Sequence, residues 1–237
     1  MNRLIFLSII LIVGCAPSFS EYQTADVLGL GNIGLNIYTS ETFTDEEEFT
    51  SMTSESSLQK SNGVRFSYGL NNKLDAQFEY EKINGNRNFA EGSISTLGVK
   101  YNLFSNKSLR ISTCIPFSFG KQTLTMPSIS LTEESSSNSE SQDFKLFEPV
   151  ILLSVNFIDN IDFNFSTKLL KQIDGPDTEN AEDGYAMNFS SSFSLDKYIK
   201  MNNLNVSLIP EYGLLSIDEL SYSQYGIALS IKYYKTK

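Results

Sequence analysis

From Gly31 onward, apolar and polar side chains alternate with a period of two in about ten stretches of roughly ten residues each, the pattern of strands that present one face to lipid and the other to a polar interior. The last stretch shows it plainly: Tyr225, Ile227, Leu229, Ile231 and Tyr233 fall on one face, and Gly226, Ala228, Ser230 and Lys232 on the other. The expected strands are Gly31–Phe43, Gly63–Leu70, Leu74–Ile83, Gly92–Leu103, Leu109–Phe119, Leu146–Phe157, Ile161–Lys171, Gly184–Leu195, Leu204–Leu214 and Tyr222–Tyr234. The fold class is therefore all-β, a single antiparallel up-and-down transmembrane β-barrel of about ten strands spanning residues 31–237.

The connections alternate in length. Asn71-Asn72-Lys73, Ser105-Asn106-Lys107-Ser108 and Ile158-Asp159-Asn160 are tight and rich in residues that accept left-handed backbone. Thr44–Ser61, Lys121–Lys145 and Gln172–Asp183 are long and polar, and Asp196–Asn203 is somewhat long for a tight turn. Bacterial barrels keep short turns on the periplasmic side and long loops outside, so this spacing predicts both termini in the periplasm.

The faces can be assigned strand by strand. Val64, Phe66 and Tyr68 oppose Arg65, Ser67 and Gly69, while Phe163, Phe165, Thr167 and Leu169 oppose Asp162, Asn164, Ser166 and Lys168. The charges collect on one face, and a cation on the lipid face near the midplane would cost about 2–4 kcal/mol. Val150–Leu153, apolar on both faces, predicts a locally dry stretch of lumen. The expected lumen charges are Arg65, Lys100, Arg110, Lys168 and Lys232 against Asp75, Glu79, Glu148, Asp162 and Glu211. A turn centred on Asn71 and Asn72 sets Arg65 opposite Glu79 as a cross-strand ion pair. Charges that neutralise one another in a filled barrel and a polar track for ions are both open readings. A barrel of about ten strands is too narrow for large nutrients, since aqueous pores take 16–18.

Composition adds the address. Asn2 and Arg3 precede a short apolar run, Leu4 to Val13, too brief for a helical span of roughly 20 residues, and the rest of the chain has none. The run ends Leu11-Ile12-Val13-Gly14-Cys15, which resembles the bacterial lipobox and implies a signal peptide over residues 1–14, an acylated Cys15 and a periplasmic linker over residues 15–30. Cleavage after Ser20 is the alternative, because Ser18 and Ser20 flank Phe19 in the A-x-A manner. Ala16 after the cysteine carries no inner-membrane retention signal, leaving outer-membrane lipid as the expected partner. Phe and Tyr, 17 and 12 in number with no Trp, must supply any interfacial girdles. Cys114, alone beyond the signal, is expected as a small apolar filler.

Gln224-Tyr225-Gly226-Ile227-Ala228-Leu229-Ser230-Ile231 resembles the β-signal that the barrel-assembly machinery recognises in a final strand, with Gln224, Gly226, Leu229 and Ile231 at its defining positions. Lys235-Thr236-Lys237 overhang the usual aromatic end. With this segment the mature chain resembles bacterial outer-membrane β-barrel proteins of the small porin-like and transporter-like class, and the lipobox-like run adds a lipid anchor to what the resemblance implies.

Other chemistry is excluded or weak. Gly29-Leu30-Gly31-Asn32-Ile33-Gly34 spells a dinucleotide fingerprint, but no strand precedes it and no helix follows. The chain has no histidine, which removes His-dependent hydrolysis and His-ligated metals; no cofactor and no enzymatic activity are expected. Net charge is −10 and repels nucleic acid. Much of it falls in the long connections, at Glu41, Asp45 to Glu48, Glu55, Glu133, Glu134, Glu140 and Asp143, and again at Asp174, Asp177, Glu179, Glu182 and Asp183. This last cluster is a weak candidate for a divalent cation. Three functions remain: a barrel whose narrow polar lumen passes ions or small solutes, a closed structural or adhesin-like barrel acting through its loops, and a lipid-anchored soluble barrel of lipocalin type with reversed faces.

Overall fold

The computed structural model describes residues 19–44, 59–85, 91–126, 138–175, 183–199, 203–217 and 220–235. Among the described residues eleven strands form: β1 (Ile33–Thr44), β2 (Gln59–Gly69), β3 (Leu74–Gly85), β4 (Glu91–Ser105), β5 (Leu109–Met126), β6 (Asn138–Phe147), β7 (Val150–Ile158), β8 (Ile161–Asp174), β9 (Gly184–Ser194), β10 (Leu204–Ile217) and β11 (Leu220–Tyr233). Each pairs antiparallel with its neighbours, and β1 pairs with β11 from Ile33↔Tyr233 to Thr44↔Tyr222, which closes the sheet on itself. β6 and β7 both lie between β5 and β8 and are two halves of one stave, so the barrel has ten staves. The break falls at Glu148-Pro149, where proline has no N–H to give the ladder. Pro210 has a similar local effect: the β9–β10 ladder skips Ile209 and Pro210 and resumes at Glu211↔Ser190 in the same register.

The strands run further toward the long connections than the alternation indicated. β5 reaches Met126 and β6 begins at Asn138, shortening the third connection to residues 127–137, while β10 and β11 are separated only by residues 218–219. In these extensions both faces carry polar groups, and Glu41, Lys60, Lys82, Lys121 and Asp143 all point outward there. Nearer the short turns the outer face is apolar: Phe66, Phe78, Leu97 and Phe117 form one row across β2 to β5, each about half exposed. Tyr68 and Tyr233 flank Ile33 at the short-turn end as part of an interfacial belt.

The four tight connections hold themselves together. Asn71 Oδ1 accepts the Lys73 N–H, Asn106 Oδ1 accepts those of Ser108 and Leu109, and Asn160 and Asn203 take φ of 72° and 67°. The longer fourth turn is pinned by Asp196, whose carboxylate accepts the Val206 N–H and the Asn205 amide.

Such an outer band tolerates no unpaired cation. Leu97→Arg, at the middle of the apolar row, is expected to lower unfolding stability in lipid by about 2–4 kcal/mol, read as a drop in the urea midpoint of the heat-modifiable form. The same substitution at Lys121, in the polar extension, is expected to leave the midpoint unchanged.

Candidate functional site

The interior of the barrel is occupied by the chain itself. Residues 19–28 run through the lumen, with Phe19, Tyr22 and Ala25 fully buried and Leu28 nearly so. This stretch, expected as a periplasmic linker, is instead the core of the molecule. Its peptide groups have no ladder partner, and inward side chains from separate staves bond them. Gln224 Oε1 accepts the Phe19 N–H at 3.3 Å and Asn188 Nδ2 donates to the Phe19 carbonyl at 2.8 Å. Glu211 takes two successive N–H groups, Glu21 on Oε1 at 2.7 Å and Tyr22 on Oε2 at 2.8 Å. Asn36 Nδ2 donates to the Tyr22 carbonyl, Ser154 Oγ accepts the Ala25 N–H, Ser112 Oγ donates to the Ala25 carbonyl, and the Asp75 carboxylate accepts the Leu28 N–H.

The direction of the segment follows from these contacts. Phe19 packs against Leu170, Ala186, Leu215 and Tyr222, which lie in the ladder pairs next to the long connections. Gly31 N–H reaches the Gly69 carbonyl at the short-turn end, where Tyr234 and Lys235 also lie. The described chain therefore begins and ends at opposite ends of the barrel, not together at the short-turn end.

Two charge clusters flank the segment. In the upper one the Glu21 carboxylate meets Lys168 Nζ at 2.8 Å and Arg65 Nη2 at 3.8 Å. Arg65 also pairs with Glu79 at 2.8 Å, the cross-strand partner set by the ladder, and donates to the Glu21 carbonyl. Lys168 reaches Glu148 at 3.3 Å, and Glu148 accepts the Ser118 hydroxyl proton. In the lower one Asp26 lies between Arg110 at 3.3 Å and Lys232 at 3.9 Å, Arg110 continues to Asp162 at 2.7 Å, and Asp75 faces Lys100 at 4.0 Å. All ten lumen charges read from the sequence thus point inward. Nine of them meet an opposite charge, and Glu211 is held by peptide N–H groups.

Sequence reasoning missed Glu21 and Asp26, which join these clusters from inside, while Glu81, which alternation sets on the same face of β3 as Asp75 and Glu79, is buried there. Gln23 links the clusters, donating to Glu21 at 2.7 Å and accepting from Lys100 at 3.4 Å, and apolar contacts flank that link. Tyr22 stacks on Tyr38 with ring centroids 4.9 Å apart, beside Ile209 and Ala228, and Ala25 sits on Cys114, Val150 and Leu152. The latter patch is where the alternation anticipated a dry stretch, and Cys114 is buried in it.

The space left over is small. One cavity of about 30 Å³ is bounded by Glu21, Arg65, Glu79, Glu148 and Lys168, and another of about 30 Å³ by Asp26, Lys100 and Lys232. At about 10–15 Å³ per water, each holds only a few.

The remaining sequence candidates are dispersed. Leu229 and Ile231 face outward on β11, whereas Gln224 and Gly226 face the segment: Gln224 donates to Ser40 Oγ, and Gly226 leaves room for Tyr22. Asp174 pairs with Lys145, and Asp183 lies 3.9 Å from Lys171. Asp177, Glu179 and Glu182 lie outside the described residues, as does Cys15. Among the described residues no three acidic or thiol groups converge on a metal-sized site.

A closed antiparallel wall, apolar outside and charged inside, spans a bilayer. The chain is a transmembrane β-barrel. This arrangement is the reverse of a soluble lipocalin-type barrel, which requires a polar exterior and an apolar interior. No protein-family model and no curated protein matches the chain. Among solved structures it is similar to outer-membrane barrels. The outer membrane protease OmpT from Escherichia coli is 10% identical, with 86% of this chain and 95% of that chain covered at a TM-score of 0.43. The NanC porin is 11% identical, covering 85% and 100% at 0.45. The translocator domain of the autotransporter NalP from Neisseria meningitidis is 8% identical, covering 98% and 96% at 0.45.

Proposed function

We propose that the protein is an outer-membrane barrel closed at rest by its own N-terminal segment, and that its wall forms a narrow polar passage for ions or small solutes when that segment leaves. The observation that carries this reading is residues 19–28 filling the lumen through side-chain bonds alone. A structural stave would be fixed by a ladder. A segment held by about a dozen separate side-chain contacts can leave without breaking any strand pair. The outer apolar band, the β-signal of β11 and the signal sequence support the outer membrane as its location.

The second reading, a permanently closed barrel acting through its acidic long connections, is favoured by the density of buried ion pairs around Glu21. Such pairs tie Glu21 directly to β2 and β8, and Arg65 and Lys168 carry the network on to Glu79 of β3 and to Glu148 beside β7.

Planar-bilayer recording separates the two. The intact protein is expected to hold the baseline with rare stepwise openings, and a form lacking residues 19–28 to give sustained stepwise current. With the segment gone, the wall keeps Asp75, Glu79, Glu81, Glu148, Asp162 and Glu211 against Arg65, Lys100, Arg110, Lys168 and Lys232. That balance is expected to give weak cation selectivity, reduced in Glu79→Gln. Silence in both proteins, with the barrel shown closed by its heat-modifiable gel mobility, would establish the second reading.

A further inference from the structure

The wall holds the lumen segment by its peptide groups, and it does so at every third residue. Phe19, Tyr22 and Ala25 are fully buried and Leu28 nearly so, and at the first three both peptide groups are bonded by inward side chains. Gln224 and Asn188 take the N–H and carbonyl of Phe19, Glu211 and Asn36 those of Tyr22, and Ser154 and Ser112 those of Ala25. Asp75 accepts the N–H of Leu28. Tyr22 takes a left-handed φ of 41°, which brings its N–H and that of Glu21 onto the one Glu211 carboxylate. This series of donors and acceptors is the complement of a polypeptide backbone. A bare ion satisfies none of it, and a buried polar group left unmatched is costly.

Two side chains of the segment are recognised by charge. Glu21 lies against Lys168 at 2.8 Å and Arg65 at 3.8 Å, and five residues on Asp26 lies between Arg110 at 3.3 Å and Lys232 at 3.9 Å. With the segment gone, Lys168 keeps Glu148, Arg65 keeps Glu79 and Arg110 keeps Asp162. Lys232 differs. Among the described residues its ion pair and its hydrogen bond both go to the segment, to Asp26 and to Thr24 Oγ1. The emptied wall keeps more acids than cations overall, so its preference among small ions and its hold on these two carboxylates are separate properties.

Resting on the reading that this segment leaves the lumen, we propose that the emptied lumen is a binding site for a free, extended acidic peptide, and that residues 19–28 are its built-in occupant. The ligand carries acids five residues apart, an aromatic residue directly after the first and a small residue directly before the second. The aromatic ring enters the well of Tyr38, Ile209 and Ala228, where Gly226 leaves room for it. The small residue lies on Cys114, Val150 and Leu152. No covalent bond is made or broken. Peptide and segment exchange by competition, and whichever is bound closes the passage to ions.

Because the segment keeps a free peptide out, the test uses the full chain carrying Glu21→Lys and Asp26→Lys. These substitutions set the segment against Lys168, Arg65, Arg110 and Lys232 and leave every wall residue intact. The form lacking residues 19–28 is the second host, and the heat-modifiable band reports barrel closure in both. The probe is a dye-labelled synthetic peptide with the sequence of Phe19 to Leu28, followed by fluorescence anisotropy in detergent and by planar-bilayer current. It is expected to bind either host about tenfold or more tightly than it binds the parent chain, and to close the sustained current. The same peptide with Glu21→Gln and Asp26→Asn is expected to bind about tenfold more weakly, as is one of the same composition in scrambled order. Equal binding of the neutral or the scrambled peptide would overturn the proposal. Equal competition by glutarate, a free dicarboxylate, would overturn the peptide assignment. Sustained current with no peptide binding would overturn the proposal and leave the passage standing. Peptide binding with no current in its absence would establish the site and sink the passage reading.

Discussion

Glu21→Ala is expected to lower the stability of the closed barrel by about 3 kcal/mol and to raise the population with an empty lumen about a hundredfold, since each 1.4 kcal/mol is a factor of ten. The Glu21 carboxylate is buried between Lys168 and Arg65 and accepts the Gln23 amide, and its own N–H lies on Glu211. Removing one partner of a buried charge network typically costs about 3–5 kcal/mol, because the opposite charges lose compensation that water cannot supply. The lower end applies here. Lys168 retains Glu148 and Arg65 retains Glu79, so neither cation is orphaned. Glu21→Gln keeps the volume and the Gln23 contact and is expected to fall between the two.

The chain carries its own reporter for this equilibrium. Cys114 is buried beneath Ala25 and becomes reachable through the lumen only when the segment leaves. In refolded protein, the rate of Cys114 modification by a small charged thiol reagent is expected to rise about a hundredfold in Glu21→Ala. Unchanged reactivity, with a lowered urea midpoint, would mean that Glu21 stabilises the wall without holding the segment in place.

Wherever one face meets lipid and the other the interior, the sequence was legible. Alternation located the staves from β1 to β11, the Asn-rich turns set their order, and the Asn71-Asn72 turn fixed the register that places Arg65 against Glu79. The strand extensions near the long connections were not legible. Over Ser141–Lys145 the outward face carries Ser141, Asp143 and Lys145 in place of apolar residues, so alternation fades while the ladder pairing continues. The lumen segment was missed for a different reason. Residues 19–28 have no sheet neighbours and therefore no face to alternate, and their contacts lie up to 208 residues away along the chain. One signal was available. Glu148, Lys168 and Glu211 sit on inward positions without an opposite charge directly across any ladder pair, as Arg65 and Glu79 have. A buried charge needs a partner, and the acidic residues Glu21 and Asp26, read from sequence only as part of a linker, were there to supply one.

Gly226→Ala is expected to displace the upper half of the segment and to press on the β1 backbone at Thr39, the neighbour of its ladder partner Ser40. A Cβ at Gly226 would stand 1.6 Å from Tyr22 Oη and 2.6 Å from the Thr39 carbonyl, so the Tyr22 ring must swing away from its stack on Tyr38. Losing the burial of one aromatic side chain costs about 1.5–3 kcal/mol, which predicts a tenfold to hundredfold faster modification of Cys114. Gly34→Ala provides the contrast. Its nearest neighbour would be a Leu28 methyl at 3.3 Å, a flexible contact that a small shift relieves. Gly226 also stands at the glycine position of the segment that resembles a β-signal, and a role in assembly would separate from the steric one by where the effect is read. A defect in recognition lowers the yield of barrel in cells but leaves protein refolded in detergent unchanged, because no assembly machinery is present there. Steric displacement of Tyr22 raises Cys114 reactivity in the refolded protein itself. Slow modification of refolded Gly226→Ala, matching the parent chain, would show that Tyr22 is accommodated and that the glycine serves assembly alone.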